Sequence, residues 1–81
     1  MDGIAADTGA TSVDETEANI AARMAERAKH VVIVGSGEKV GRRTYATVCA
    51  SDEIQHVITD ETANPRHVAA LRAMGVKVDL V

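Results

Sequence analysis

The apolar positions Ala18, Ala21, Ala25 and Ala28, joined by Ile20 and Met24, recur at helical spacing. They predict a helical segment over 12–29, with the helix itself running from Asp14 to Lys29. Ser12-Val13-Asp14-Glu15 has the S-x-x-E spacing of a capping box, which satisfies two free N–H groups at a helix start. Acidic Asp14, Glu15 and Glu17 at one end and basic Arg27 and Lys29 at the other match the polarity of the helix dipole. Residues 1–11, with two glycines and no periodicity, read as a loop. Val31-Val32-Ile33-Val34 is an unbroken β-branched run. Such a run predicts a strand buried on both faces between parallel neighbours.

That strand ends in the glycine-rich loop Gly35-Ser36-Gly37-Glu38-Lys39-Val40-Gly41. Between Arg42 and Cys49 the pattern is mixed. Thr44, Tyr45, Thr47 and Val48 favour a short strand, while Arg42, Arg43 and Ala46 tolerate a helix. Ala50–Ile54 reads as a turn or one helical turn, and Val57-Ile58-Thr59 as a second strand closed by Asp60. Asn64-Pro65 is a helix start, with Asn as cap and Pro at the first helical position. Val68, Leu71 and Met74 share one face of that helix, which stops at Gly75. Val76, Val78 and Leu80 then alternate with Lys77 and Asp79, as in a half-exposed strand. Residues 30–81 therefore read as strand, loop, strand, helix, strand. The class is α/β, a Rossmann-like, partly parallel sheet with flanking helices.

Composition adds constraints. With 81 residues the chain is at most one small domain, or part of one. A domain of this size buries only about 60% of its unfolded surface, which leaves it marginal. Cys49 is the single cysteine, so no internal disulfide can help. The hydrophobic share of 46% excludes a disordered tail, yet Tyr45 is the only aromatic residue. A core of Val, Ala and Ile without aromatic rings points to a partial domain, a homo-oligomer, or both. No apolar run approaches the roughly 18 residues of a membrane span. The opening Met1-Asp2-Gly3-Ile4 lacks the basic, apolar character of a signal peptide, so a reduced cytoplasmic setting and no membrane partner are expected. A net charge of −3 and the lack of stacking aromatics argue against nucleic-acid binding by these residues themselves.

The glycine loop is the strongest chemical feature. In open α/β sheets ligands sit beyond the carboxyl ends of strands. Gly35, Gly37 and Gly41 would let backbone N–H groups approach an anion, and Lys39 would supply a point charge suited to phosphate. A flexible turn with a surface lysine is the plainer alternative. Gly35-x-Gly37-x-x-x-Gly41 followed by Asp60 weakly mimics a dinucleotide fingerprint with its ribose-binding acid, but the true motif needs a helix opening from the loop. No cofactor is therefore expected. His30, His56 and His67 lack metal-ligand spacing, Cys49 reads as a small core residue, and Ser36 is not in a nucleophile elbow. Arg42-Arg43 reads as a solvated basic turn or as a phosphate or carboxylate contact.

Taken in order, several short motifs resemble the C-terminal, sugar-phosphate-sensing domain of DeoR-type bacterial transcription repressors. They are Asp2-Gly3-Ile4 with Gly9 and Thr11, Glu17-Ala18 with Met24, and Ala28-Lys29-His30 leading into the strand. Lys39-Val40-Gly41-Arg42-Arg43, Ser51-Asp52-Glu53-Ile54, Val57-Ile58-Thr59-Asp60 and the ending from Leu71 through Gly75 to Val81 complete the match. The resemblance implies the ribose-phosphate isomerase and glucosamine-phosphate isomerase fold. It also implies a phosphorylated-sugar effector, and operator DNA bound only through a winged helix-turn-helix domain outside this chain. On it, residues 1–81 would be the later, partial portion of the effector-binding domain. Lys39 would contact the effector phosphate or a hydroxyl, Gly35, Gly37 and Gly41 would let the loop approach, and Asp2, Gly3 and Glu17 would line the same pocket. Two places depart from the family pattern. Ser36-Gly37-Glu38-Lys39-Val40-Gly41 stands where an Asp-Ser-Ser-Lys-Phe-Gly type loop is usual, and Ala21-Ala22 where a Lys-Arg pair is common. The rival class is a sugar-phosphate isomerase-like enzyme fragment. No general base with a supporting partner is visible in the sequence, so a non-enzymatic binding module is expected.

Overall fold

The computed structural model describes all residues, Met1–Val81. Six strands and two helices follow in the order β1 (Gly3–Ala5), β2 (Gly9–Ser12), α1 (Glu15–Arg27), β3 (Val32–Val34), β4 (Ala46–Cys49), β5 (His56–Thr59), α2 (Pro65–Ala73) and β6 (Lys77–Leu80). Single 3₁₀ turns lie at Gly37–Lys39 and Ser51–Glu53. The class is α/β as expected, but the strands form two sheets, not one. β3, β5 and β6 make a parallel sheet in the order β3-β5-β6, and β1, β2 and β4 make an antiparallel one in the order β1-β2-β4. The ambiguous stretch before Cys49 resolves as a strand of the second sheet.

Residues 1–11 are not a loop. They form an antiparallel hairpin whose strands are buried at every position, with Gly3 opposite Thr11 and Ala5 opposite Gly9. Small residues covered on both sides show no alternation, so the usual signal is missing. The helix cap also moves. Ser12 ends β2, fully buried, and donates its hydroxyl to Asp2 Oδ2 at 2.9 Å. Asp14 caps α1 instead, its Oδ1 accepting from the Glu17 amide at 3.1 Å. In α1 only Ala18 is buried, while Ile20 and Met24 of the predicted stripe face outward. α2 starts as predicted, with the Asn64 side chain accepting from the Arg66 amide and Pro65 at the first position. Val68 and Leu71 are buried, but Met74 caps the helix and is half exposed. Gly75, at φ +91°, supplies the left-handed step that turns the chain into β6.

One aliphatic core joins the two sheets. Ile4, Ala10 and Cys49 of the antiparallel sheet meet Val57 and Val78 of the parallel sheet and Val68 and Leu71 of α2. Burial pushes the Cys49 thiol above its ordinary pKa, as suits a core residue and not a nucleophile. Val31–Val34 departs from expectation. β3 pairs only with β5, so it is an edge strand, and Val32 and Val34 are exposed on the outer face. Three strands with one covering helix leave that face open.

Three carboxylates fasten the loops. Asp60 accepts from the Thr62 hydroxyl and amide, with the Gly37 amide adding to the stabilisation of its charge. Asp2 accepts from the Val13 amide and the Ser12 hydroxyl, both at 2.9 Å. Asp7 is paired with Arg43 at 2.9 Å. Each donor set holds its carboxyl below the ordinary value of 3.8.

Two outcomes follow. Leu71 is 0% exposed, so Leu71→Ala is expected to lower the unfolding free energy by about 2–5 kcal/mol in urea titrations, whereas a loss under 1 kcal/mol would contradict the assigned core. A carboxyl whose folded pKa is depressed stabilises the fold above its unfolded value and loses that contribution as pH falls through the folded value. The urea midpoint should therefore stay level from neutrality to about pH 5 and fall below about pH 4, with Asp60→Asn flattening the acid limb. A midpoint that rises on acidification would refute this role for the three carboxylates.

Candidate functional site

The carboxyl ends of β3 and β5 open on the same side of the parallel sheet, and the chain leaves each in a loop. The loop after β3 tightens at once into the Gly37–Lys39 turn, closed by the Lys39 amide on the Ser36 carbonyl and the Val40 amide on the Gly37 carbonyl. Gly37 is buried against the loop after β5. A Cβ there would overlap the Ala63 nitrogen and the Thr62 hydroxyl, so only glycine fits. Gly41, at φ +90°, lies under the His67 ring of α2, where a Cβ would overlap ring atoms.

The predicted site residues divide into two groups on either side of this turn. Lys39, Asp2, Glu17 and Gly35 gather around Met1. Lys39 Nζ donates to the Met1 carbonyl at 3.3 Å, and the Met1 ammonium donates to Glu17 Oε1 at 2.9 Å. A Cβ on Gly35 would lie 3.3 Å from the Met1 side chain and 3.4 Å from that of Lys39. The Asp2 carboxylate is ionised, held by the Val13 amide and the Ser12 hydroxyl, with smaller contributions from the chain's ammonium and from Lys39. Gly3 belongs to β1, where the Arg42 carbonyl fills the space of a side chain. Lys39 is half-buried and lines none of the molecule's cavities.

Gly37 and Gly41 belong to the second group. They line a polar recess of about 380 Å³ with Glu38, Val40, Arg42, Thr62, Asn64 and His67. Arg42 is exposed and makes no ion pair, and His67 is half-buried. Sequence reasoning did not anticipate Thr62, Asn64 or His67 here. The cap motif Asn64-Pro65 was the one available signal, because it places α2's first turn beside the strand ends.

The glycine amides are engaged inside the protein and not free for an anion. Gly35 donates to the Ile58 carbonyl at 3.2 Å and Gly41 to the Ile4 carbonyl at 2.7 Å, and the Gly37 amide stabilises the Asp60 carboxylate. The glycines act here through close packing. The amino end of α2 is likewise closed by Asn64. No helix opens from the glycine loop, since Val40 is already extended. Asp60 is committed to Thr62, so the dinucleotide reading has neither its helix nor its acid. No helix of the chain is long and apolar enough to cross a membrane.

The chain is similar to known transcriptional regulators. The chain is 33% identical over 72 residues to the HTH-type transcriptional regulator GlpR of Haloferax volcanii, an alignment covering 89% of this chain and 28% of that protein. It is 30% identical over 81 residues to a putative aga operon transcriptional repressor of Escherichia coli O157:H7, covering 100% of this chain and 30% of that one. With the uncharacterized HTH-type transcriptional regulator YulB of Bacillus subtilis the identity is 29% over 73 residues, 90% of this chain and 28% of that protein. The chain thus spans under a third of the length of these relatives. No solved structure matches it. The sequence model of the DeoR C terminal sensor domain matches residues 1–61, which include both groups around the turn up to Asp60, and the chain belongs to that family of transcriptional regulator sensor domains.

Proposed function

We propose that these residues are the effector-sensing portion of a DeoR-type repressor of sugar metabolism, and that the effector is a phosphorylated sugar. The observation that carries this reading is Lys39. It is a half-buried ammonium at the carboxyl rim of a parallel strand, near the Asp2 carboxylate, and its one hydrogen bond is to a neutral carbonyl. A phosphate oxygen is a stronger acceptor for it than the Met1 carbonyl, because charge-assisted bonds are roughly twice as strong as neutral ones. The recess beside the turn is polar, and Glu38, which lines it, is the chain neighbour of Lys39. Thr62, Asn64 and Glu38 suit sugar hydroxyls, and the unpaired Arg42 suits a second anionic group.

In this reading residues 1–81 form part of an effector-binding domain. Operator DNA is contacted by a winged helix-turn-helix outside them, and the ligand acts by favouring one arrangement of the protein over another. A binding module also suits the carboxylates better than an isomerase-like enzyme does. Asp2 is an ionised group whose Oδ2 already accepts two donors and which is held below its ordinary pKa, and this makes it a weak general base.

Calorimetric titration with a panel of sugar phosphates, each beside its dephosphorylated sugar, tests the proposal. Binding should require the phosphate. Lys39→Ala should weaken it about tenfold to a hundredfold, the equivalent of one charge-assisted contact of about 1.5–3 kcal/mol, while leaving the urea midpoint near its original value. Equal heats with and without phosphate, or an unchanged affinity in Lys39→Ala, would remove Lys39 from the site.

A further inference from the structure

Asp2-Gly3 is the one place in the chain where an aspartate or asparagine precedes glycine. That pairing is chemically labile, because a following residue without a Cβ leaves its amide nitrogen open to the side-chain carboxyl. Each residue meets a packing requirement. Asp2 Oδ2 accepts from the Ser12 hydroxyl and from the Val13 amide, each at 2.9 Å, so its carboxylate ties the start of β1 to the end of β2. At Gly3 a Cβ would overlap the Arg42 carbonyl. The backbone on both sides of the bond is held as well. The Asp2 amide donates to the Thr11 carbonyl at 2.8 Å, and Gly3 is buried in β1 opposite Thr11.

We infer that Asp2-Gly3 is a latent isomerisation site, held closed by the Ser12 and Val13 donors and released when this end of the hairpin opens. In the reaction the Gly3 nitrogen attacks Asp2 Cγ. An N–Cγ bond forms, a Cγ–O bond breaks, and the oxygen leaves as water with the carboxyl proton and the amide proton. The five-membered imide then takes up one water. Addition at Cγ restores aspartate, and addition at the main-chain carbonyl leaves isoaspartate, with the backbone rerouted through the side chain. Two features of the fold oppose ring closure. Turning the Gly3 nitrogen toward Cγ needs rotation about the Asp2 Cα–C bond, which would lift Gly3 from its place opposite Thr11. Freeing the carboxyl forfeits both donors, and those donors favour the ionised form, whereas the leaving oxygen must be protonated. Isoaspartate would lengthen the strand's backbone by one methylene and withdraw the carboxylate from Ser12, which itself accepts from the Asp14 amide at the α1 cap. No ligand enters this step, so it stands or falls apart from the effector reading.

Isoaspartate at Asp2 is read by fragmentation mass spectrometry after weeks at neutral pH and physiological temperature. A synthetic peptide of residues 1–12 should accumulate it, and the folded 81-residue protein should do so at least about tenfold more slowly, as expected of a step confined to a minor opened state. Ser12→Ala should speed the reaction of the folded protein several-fold. The control is Ala69→Gly, a mild destabilisation on the exposed face of α2, brought with dilute urea to the unfolding free energy of Ser12→Ala. It should isomerise more slowly than Ser12→Ala. Equal rates in peptide and protein would overturn the inference, and that comparison stands whatever Ser12→Ala does to folding. A Ser12→Ala rate no higher than that of the unaltered protein, or of the matched Ala69→Gly protein, would also overturn it by placing the restraint in global stability alone.

Discussion

Everything at the strand ends depends on the contact between Gly37 and the loop that follows β5. β3 and β5 are parallel neighbours, so their chains emerge side by side and their loops compete for the same space. Gly37 resolves the competition by having no side chain where Ala63 and Thr62 press in. Asp60 then holds the junction, taking both donors of Thr62 and facing the Gly37 amide. Because the 3₁₀ turn begins at Gly37, the places of Glu38 and Lys39 follow from this contact. The turn is also tied to β1 through the Gly41 amide and the Ile4 carbonyl. The two sheets therefore meet at the loop that carries the candidate site, and packing, not loop mobility, sets where the lysine stands.

Features written in local chemistry were legible in the sequence. The β-branched runs gave β3 and β5, Asn64-Pro65 gave the start of α2, Gly75 gave its end, and the alternation of Val76 and Val78 with polar residues gave β6. Features decided by distant partners were not. Gly3–Ala5 and Gly9–Ser12 become strands only because β4 closes over them, and being buried on both sides they carry no period. Ser12-x-x-Glu15 and Asp14-x-x-Glu17 offer the same cap spacing. Ser12 ends β2, where its hydroxyl donates to Asp2 and its oxygen accepts from the Asp14 amide, and Asp14 caps the helix. The glycine loop reads correctly as a place of close approach, but what approaches is backbone from the protein itself. Nothing near Gly41 in the chain announces the Ile4 carbonyl or the His67 ring.

The aliphatic composition has a structural counterpart in how thinly the parallel sheet is covered. Its inner face carries Ile33, Val57 and Val78 in register and meets α2 and the antiparallel sheet. Its outer face carries Val32, Val34 and Ile58 beside His56, Lys77 and Asp79, with His56 Nε2 2.7 Å from Asp79 Oδ2. Half of that surface is apolar and half is charged. The apolar half lies at the β3 edge and the charged half runs from β5 to β6, so the sheet presents one solvated end and one that gains from being covered.

The polar groups of the candidate site differ in how firmly they are committed. Asp2 and Asp60 each accept two or more internal donors, among them the buried Ser12 hydroxyl and the amide of the buried Gly37, so displacing them would leave those groups unpaired. Lys39 has a single neutral acceptor, the Met1 carbonyl, just ahead of β1. On the proposed reading, a ligand that draws the ammonium away exchanges a weak bond for a stronger one and frees the Met1 carbonyl, while the Gly41 amide keeps the turn tied to Ile4. The carboxylates hold the hairpin and the β5 loop in place meanwhile, so the response is confined to the one contact that joins the turn to Met1. A coupling of about 1–3 kcal/mol is the usual scale of allosteric control, and a single charge-assisted bond gained at Lys39 reaches it. On the proposed effector reading, this division of labour between fixed anions and one loosely held cation would let the region register the arrival of an anion without unfolding.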